Sequence, residues 1–245
     1  PDLLGLGETE TPAGADWSLP AQVDAVLGLL DRLGLGRVAV VGHGQGGAIA
    51  QLIAIQHPDR VSALVLADAE AYDNWPSADE RPFITATQTP GLGRLVLWEW
   101  SAPPLLRWAL ASGHAVSDRS TLTPELAMGY VRANLSDPHK RAKTRRFLAG
   151  QIDPVNNRAT LDVVDPLRSF DHPTLLLWGG GDPHFGPRWA ERLAQDIPGV
   201  ERVEVLAGAG HLVMEDQPER VAAILTEFLV AAPDPAAIVR KGERP

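Results

Sequence analysis

Residues 38–51 read VAVVGHGQGGAIAQ: an apolar, β-branched run, a turn rich in glycine, and an immediate return to helix-forming residues. Four of the six residues from Gly42 to Gly47 are glycine. Such a turn can be sharp, because glycine allows positive φ and close backbone approach that a Cβ would obstruct. A strand that runs through a tight turn straight into a helix is the building unit of a parallel sheet. No other stretch narrows the fold so far.

The flanking sequence keeps the same rhythm. SLPAQVDAVLGLLDRLGLG (18–36) carries Val23, Val26, Leu27, Leu30 and Leu33 at steps of three and four, which predicts a helix. Ser18 is its expected N-cap, Pro20 suits the first turn, and Gly34 and Gly36 stop it. RVAVVG (37–42) and VSALVLAD (61–68) read as strands buried on both faces, with a helix over 47–58 between them that ends at His57-Pro58. After a long interruption the pattern resumes, with strands at 173–179 and 201–208 and helices at 186–199 and 217–232.

The interruption, residues 71–165, is rich in proline and tryptophan, with helix-like pieces and no clear strand. A helical block between two strands of one sheet is expected to sit over the sheet's end as a cap. The organisation predicted is therefore α/β. Residues 1–70 and 166–232 form a mostly parallel sheet core, 71–165 a helical cap, and 233–245 a flexible tail.

Composition sets limits on function. The chain of 245 residues is 44% hydrophobic and 22% charged, ordinary for a globular domain. It contains no cysteine, which excludes disulfides and thiolate metal sites. The net charge of −9 argues against nucleic acid or an anionic membrane as partner. The basic cluster PHKRAKTRRF (138–147) reads as a solvated helix face, since Lys140, Arg141, Lys143, Arg145 and Arg146 spread around the helix; a polyanion patch is the alternative. No apolar run approaches the roughly 20 residues of a membrane span. The opening residues PDLLGLGETE have no leader pattern and read as the middle of a domain, so a cytoplasmic location is expected. No histidine pair sits at helical metal-ligand spacing, and neither a metal nor a cofactor is expected.

The chemistry begins at the turn. Gly42-His43-Gly44-Gln45-Gly46 has the G-x-Nuc-x-G spacing of a nucleophile elbow, with Gly44 at the apex where a nucleophilic side chain belongs. The backbone N–H of Gln45 would face an oxyanion at the start of a helix. Gly42, Gly44 and Gly47 also satisfy the bare dinucleotide pattern, and Asp68 follows 21 residues after Gly47. Two later loops favour the elbow. WGGGDPHF (178–185) places Asp182 beyond one strand, and GAGHLVMED (208–216) places His211 beyond the next. A carboxylate there can orient a histidine that takes a proton, and a dinucleotide site needs neither.

In these motifs (PDLLGLGE, VVGHGQGG, LLLWGGGDP and GAGHLVMEDQPERV, in that order) the chain resembles the α/β-hydrolase superfamily of esterases, lipases, haloalkane dehalogenases and epoxide hydrolases, from Pro1 to about Ala232. The resemblance implies Gly44 at the nucleophile position, Asp182 as the acid and His211 as the base. Asp68 stands where some haloalkane dehalogenases carry their acid and is a reserve. It also implies a small, largely apolar ester, halide or epoxide as substrate, with Trp75, Trp98, Trp100, Trp108 and Phe185 as candidate pocket residues. Two departures matter. Glycine cannot form a covalent intermediate. The strands and the HG-type loop that usually precede the PDLLGLGE-like segment are not in the sequence, so the elbow strand is expected at an unpaired edge, in a portion of a longer protein. Three readings follow: a hydrolase lineage with its nucleophile substituted, a nucleophile-free lyase or oxygenase using a His–Asp base, and a binding protein without catalysis.

Overall fold

A computed structural model describes residues 1–78, 80–112 and 115–232, and the tail expected at 233–245 lies outside them. Four parallel strands form one sheet in the order β1 (Val38–His43), β2 (Val61–Ala67), β3 (Thr174–Gly179) and β4 (Val200–Leu206). The register runs Val40 to Leu64, Leu64 to Thr174 and Thr174 to Val200, so all four C-terminal ends meet on one side of the molecule.

α1 (Leu19–Arg32) precedes β1, and α2 (Gln45–Gln56) joins β1 to β2. Between β2 and β3 come α3 (Glu80–Gln88), α4 (Leu92–Trp100), α5 (Pro103–Ser112), α6 (Pro124–Asn134), α7 (Pro138–Gln151), α8 (Pro154–Asp162) and the short α9 (Val164–Leu167). α10 (Arg188–Asp196) joins β3 to β4, and α11 (Val213–Asp216) and α12 (Pro218–Ala231) close the described chain. Three helices of the inserted block start with one device. Thr123, Asp137 and Asp153 each cap a helix whose next residue is proline, and their side chains accept the N–H of Leu126, Lys140 and Val155. Such a cap stabilises a helix by about 1 kcal/mol.

The sheet is buried on both faces, as uninterrupted apolar strands require. Leu64, Leu66, Leu176 and Trp178 pack against α1, α2 and α10. Ala63, Val65, Leu175 and Leu177, alternating with them, pack against Val221, Ile224 and Phe228 of α12. The outer strands differ. β4 alternates half-buried and exposed residues along most of its length. β1 pairs with β2 alone among the described residues, and Val41 on it is 49% exposed.

Leu66, fully buried near the C-terminal end of β2, packs into the core on one face of the sheet. Leu66→Ala is expected to cost about 2–5 kcal/mol in chemical denaturation. Val230→Ala, at an exposed position on α12, is expected to stay within about 0.5 kcal/mol.

Candidate active site

The turn after β1 is built on close backbone contact. A Cβ on Gly42 would lie 2.3 Å from the Gly46 carbonyl oxygen, and one on Gly47 would lie 2.3 Å from the Ala69 Cβ. These two positions hold the strand–helix junction tight. Gly46 does not: a Cβ there would meet nothing within 4 Å, contrary to the obstruction expected at both flanks of the apex. Gly44 itself has φ 54° and ψ −123°, a backbone state that strains any residue with a side chain. Its carbonyl accepts the N–H of Gly47 at 2.9 Å and of Glu70 at 3.0 Å, which locks the turn to the chain leaving β2.

A Cβ on Gly44 would stand 3.6 Å from His211 Nε2 and 3.8 Å from His211 Cε1. Among the described residues, His43, Gln45 and nearby helix backbone aside, no other atom comes within 4 Å of that point. Gln45 opens α2, so its N–H belongs to the helix-terminal donors that have no intrahelical partner. The loop after β4 thus brings His211 to the apex of the turn after β1.

His211 is oriented from three sides. Its Nδ1 donates to Asp182 Oδ2 at 2.9 Å. Its carbonyl accepts from His43 Nε2 at 2.8 Å, with the two rings 4.6 Å apart. The Phe185 ring lies 5.3 Å away on another side. Asp182 is itself held by its loop, since Oδ1 accepts the N–H of His184 at 2.7 Å and of Phe185 at 3.0 Å. Burial pushes the Asp182 carboxyl up, but the bonds from His211 and these two amides outweigh it and hold the group below the ordinary carboxylate range. Burial, helped by the nearby His211 charge, lowers His43 to about 4, so His43 is a neutral donor that supports the base.

Asp68 follows β2 directly with φ 38°, and its side chain is buried. Oδ1 accepts the N–H of Gly179 at 2.9 Å. Oδ2 is buried with no partner at hydrogen-bond distance among the described residues. Burial, and then the charge of Asp182, push this carboxyl up to about 9. It is a neutral acid at pH 7, beside an ionised one. Buried and bonded to β3, it is not placed to reach a ribose as the dinucleotide pattern requires.

The aromatic candidates spread widely. Phe185 stands against His211. Trp75 is buried where the helical block begins. Trp100 stacks on Phe83 at 4.3 Å. Trp98 and Trp108, 62% and 70% exposed, lie on the surface of α4 and α5.

Two acidic residues have roles that the linear spacing did not signal. Asp216 accepts the N–H of Gly210 at 2.7 Å, of Ser117 at 2.8 Å and of Asp118 at 3.1 Å, tying the His211 loop to the inserted block. Glu70 is a buried carboxyl pushed well up by desolvation and then by Glu80, just past the elbow contact.

The chain is similar in sequence and fold to known proteins. A family model described as alpha/beta hydrolase fold matches residues 1–218. A 2-hydroxymuconate semialdehyde hydrolase of Pseudomonas putida is 28% identical over 232 residues, which is 95% of this chain and 76% of the relative. Haloalkane dehalogenase 2 of Mycobacterium tuberculosis H37Rv is 28% identical over 236 residues, 93% of this chain and 76% of the relative. Among solved structures, a thermophilic esterase from Thermogutta terrifontis is 28% identical with a TM-score of 0.69, over 93% of this chain and 77% of that one. Among the described residues no helix is long and apolar enough to cross a membrane.

The Asp68 carboxyl makes a prediction about stability and pH. Its folded value of about 9 exceeds its ordinary 3.8, so the folded state holds a proton that the unfolded state releases. Its stabilising contribution is full below 3.8 and is lost as pH rises toward about 9. Asp68→Asn, which removes the titration, is expected to gain stability relative to the native chain progressively across that window, measured by urea denaturation at stepped pH.

Proposed function

The chain belongs to the alpha/beta hydrolase fold family, and from that premise we propose that it hydrolyses small, largely apolar esters with water in place of a side-chain nucleophile. One observation carries the reading: His211 Nε2 stands 3.6 Å from where a Gly44 Cβ would be, with Asp182 2.9 Å behind Nδ1. A base, its orienting carboxylate and an oxyanion donor converge on a point that glycine leaves open.

Water bound over Gly44 gives a proton to His211 Nε2 as its oxygen bonds to the ester carbonyl carbon. The carbonyl oxygen becomes an oxyanion facing the Gln45 N–H. Asp182 stays ionised and stabilises the imidazolium. The intermediate collapses with loss of the C–O bond to the alcohol, and His211 returns its proton to the departing alkoxide. Displacement of a halide, or opening of an epoxide, by a carboxylate needs the side chain that Gly44 lacks, so the ester suits these residues best. The esterase of 28% identity supports the same choice. The block from α3 to α9 acts as the cap over the substrate, and Phe185 is the apolar wall beside the base.

The test is hydrolysis of p-nitrophenyl butyrate by the native sequence. Saturable turnover above background is expected, with kcat/KM falling about 10²–10⁴-fold in His211→Ala. Equal rates for the two proteins would overturn the reading. So would saturable binding of the ester with no turnover, which is the behaviour of a binding protein.

A further inference from the structure

The basic stretch at 138–147 takes no part in the site above, and its cations meet different surroundings. α7 turns its lysines toward the N-terminal loop. Lys140 Nζ pairs with the Glu8 carboxylate, and Lys143 Nζ donates to the carbonyls of Gly7 at 3.2 Å and Thr9 at 2.8 Å. Arg146 reaches the same loop, donating to the Ala15 carbonyl, while Arg141 and Arg145 turn to the Leu135 and Thr87 carbonyls. Arg141, Arg145 and Arg146 line a groove of about 960 Å³ between α7 and α4, and Arg94 lines it from α4. Leu95 and Trp98 give the groove an apolar wall, and among the described residues no carboxylate side chain lines it.

Among the described residues none of these four guanidinium groups forms an ion pair, in a chain whose net charge is −9. Three are held by backbone carbonyls, Arg146 by that of Ala15. Arg145 donates Nε to the Thr87 carbonyl at 2.8 Å and a terminal N–H to that of Gln88 at 3.0 Å. Arg141 donates to the Leu135 carbonyl at 2.9 Å. A guanidinium has five N–H donors, so these anchors orient the groups and leave further donors available. Arg146 leans on the Trp17 ring, 3.9 Å from its centroid. Arg94 has no bonded partner among the described residues, and Trp98 lies one helical turn from it on the same face. Oriented cations beside exposed apolar surface match a ligand with a charged head and an apolar body. The volume is that of a small-molecule site.

We propose that this groove is a second binding site, distinct from the one at Gly44, for a small organic anion: a carboxylate on an apolar chain or ring. The head bridges Arg94 and Arg141, and the body lies along Leu95 and Trp98.

Dodecanoate, well below its micelle concentration, is the probe, titrated into the full chain by calorimetry and by tryptophan emission. Saturable one-to-one binding is expected, with an emission change that Trp98→Phe removes. Arg94→Gln combined with Arg141→Gln is expected to weaken it about tenfold or more, the scale of losing charge-assisted bonds. Dodecan-1-ol, with the same body and no charge, should bind at least about tenfold more weakly for the same reason. If the double variant loses its cooperative unfolding, Arg94→Gln alone must still weaken binding, because Arg94 holds no other element in place. The proposal is overturned if the alcohol binds as well as the acid, or if dodecanoate affinity is unchanged in a folded Arg94→Gln, Arg141→Gln protein. It is also overturned if anionic phospholipid vesicles are bound while free dodecanoate is not.

Discussion

The close approach at Gly42 and Gly47 is what the candidate site depends on. Because the Gly46 carbonyl and the Ala69 Cβ press against them, β1 passes into α2 without an intervening loop. That junction sets a positive φ at Gly44 and leaves the first N–H of α2 without an intrahelical partner. Parallel pairing then does the rest. With β1, β2, β3 and β4 all pointing one way, the loops carrying Asp182 and His211 emerge at the same end as the turn. No contact local in sequence could gather residues 44, 182 and 211.

Two buried carboxyl groups share this end of the sheet, and their surroundings separate them. Asp182 receives an imidazole N–H and two amide N–H groups and stays ionised. Asp68 receives one amide and no cation, and it stays protonated. The ionised member can therefore orient His211, while the neutral one adds no second negative charge next to the base. Placing them on adjacent strands is possible because their states differ.

Much of this arrangement was legible in the sequence. Unbroken apolar runs gave the strands at 61–67 and 174–179 to within a residue, because strands buried on both faces carry no competing polar signal. Gly44, Asp182 and His211 were legible because each follows a strand, where ligand sites of such sheets lie. The support around them was not. His43 reaches across 168 residues of chain to the His211 carbonyl, and Asp216 binds amides on both sides of a loop junction. Side chain to backbone bonds of that kind leave no spacing to read. What each cation of α7 meets was hidden for a different reason. A helix pattern shows which residues share a face, but not what the face meets.

The central claim is that the elbow still aims its apex at a working base and that only the reacting atom differs. Gly44→Ser tests it directly, since the serine Oγ would be placed toward His211 Nε2 at a backbone cost of about 1–3 kcal/mol. The measurement is intact mass after exposure to a fluorophosphonate, which bonds only to an activated hydroxyl. The account predicts stoichiometric addition of one phosphonyl group to Gly44→Ser, none to the native chain, and none to Gly44→Ser combined with His211→Ala. A folded Gly44→Ser protein that stays unlabelled, or one labelled equally well without His211, would contradict it.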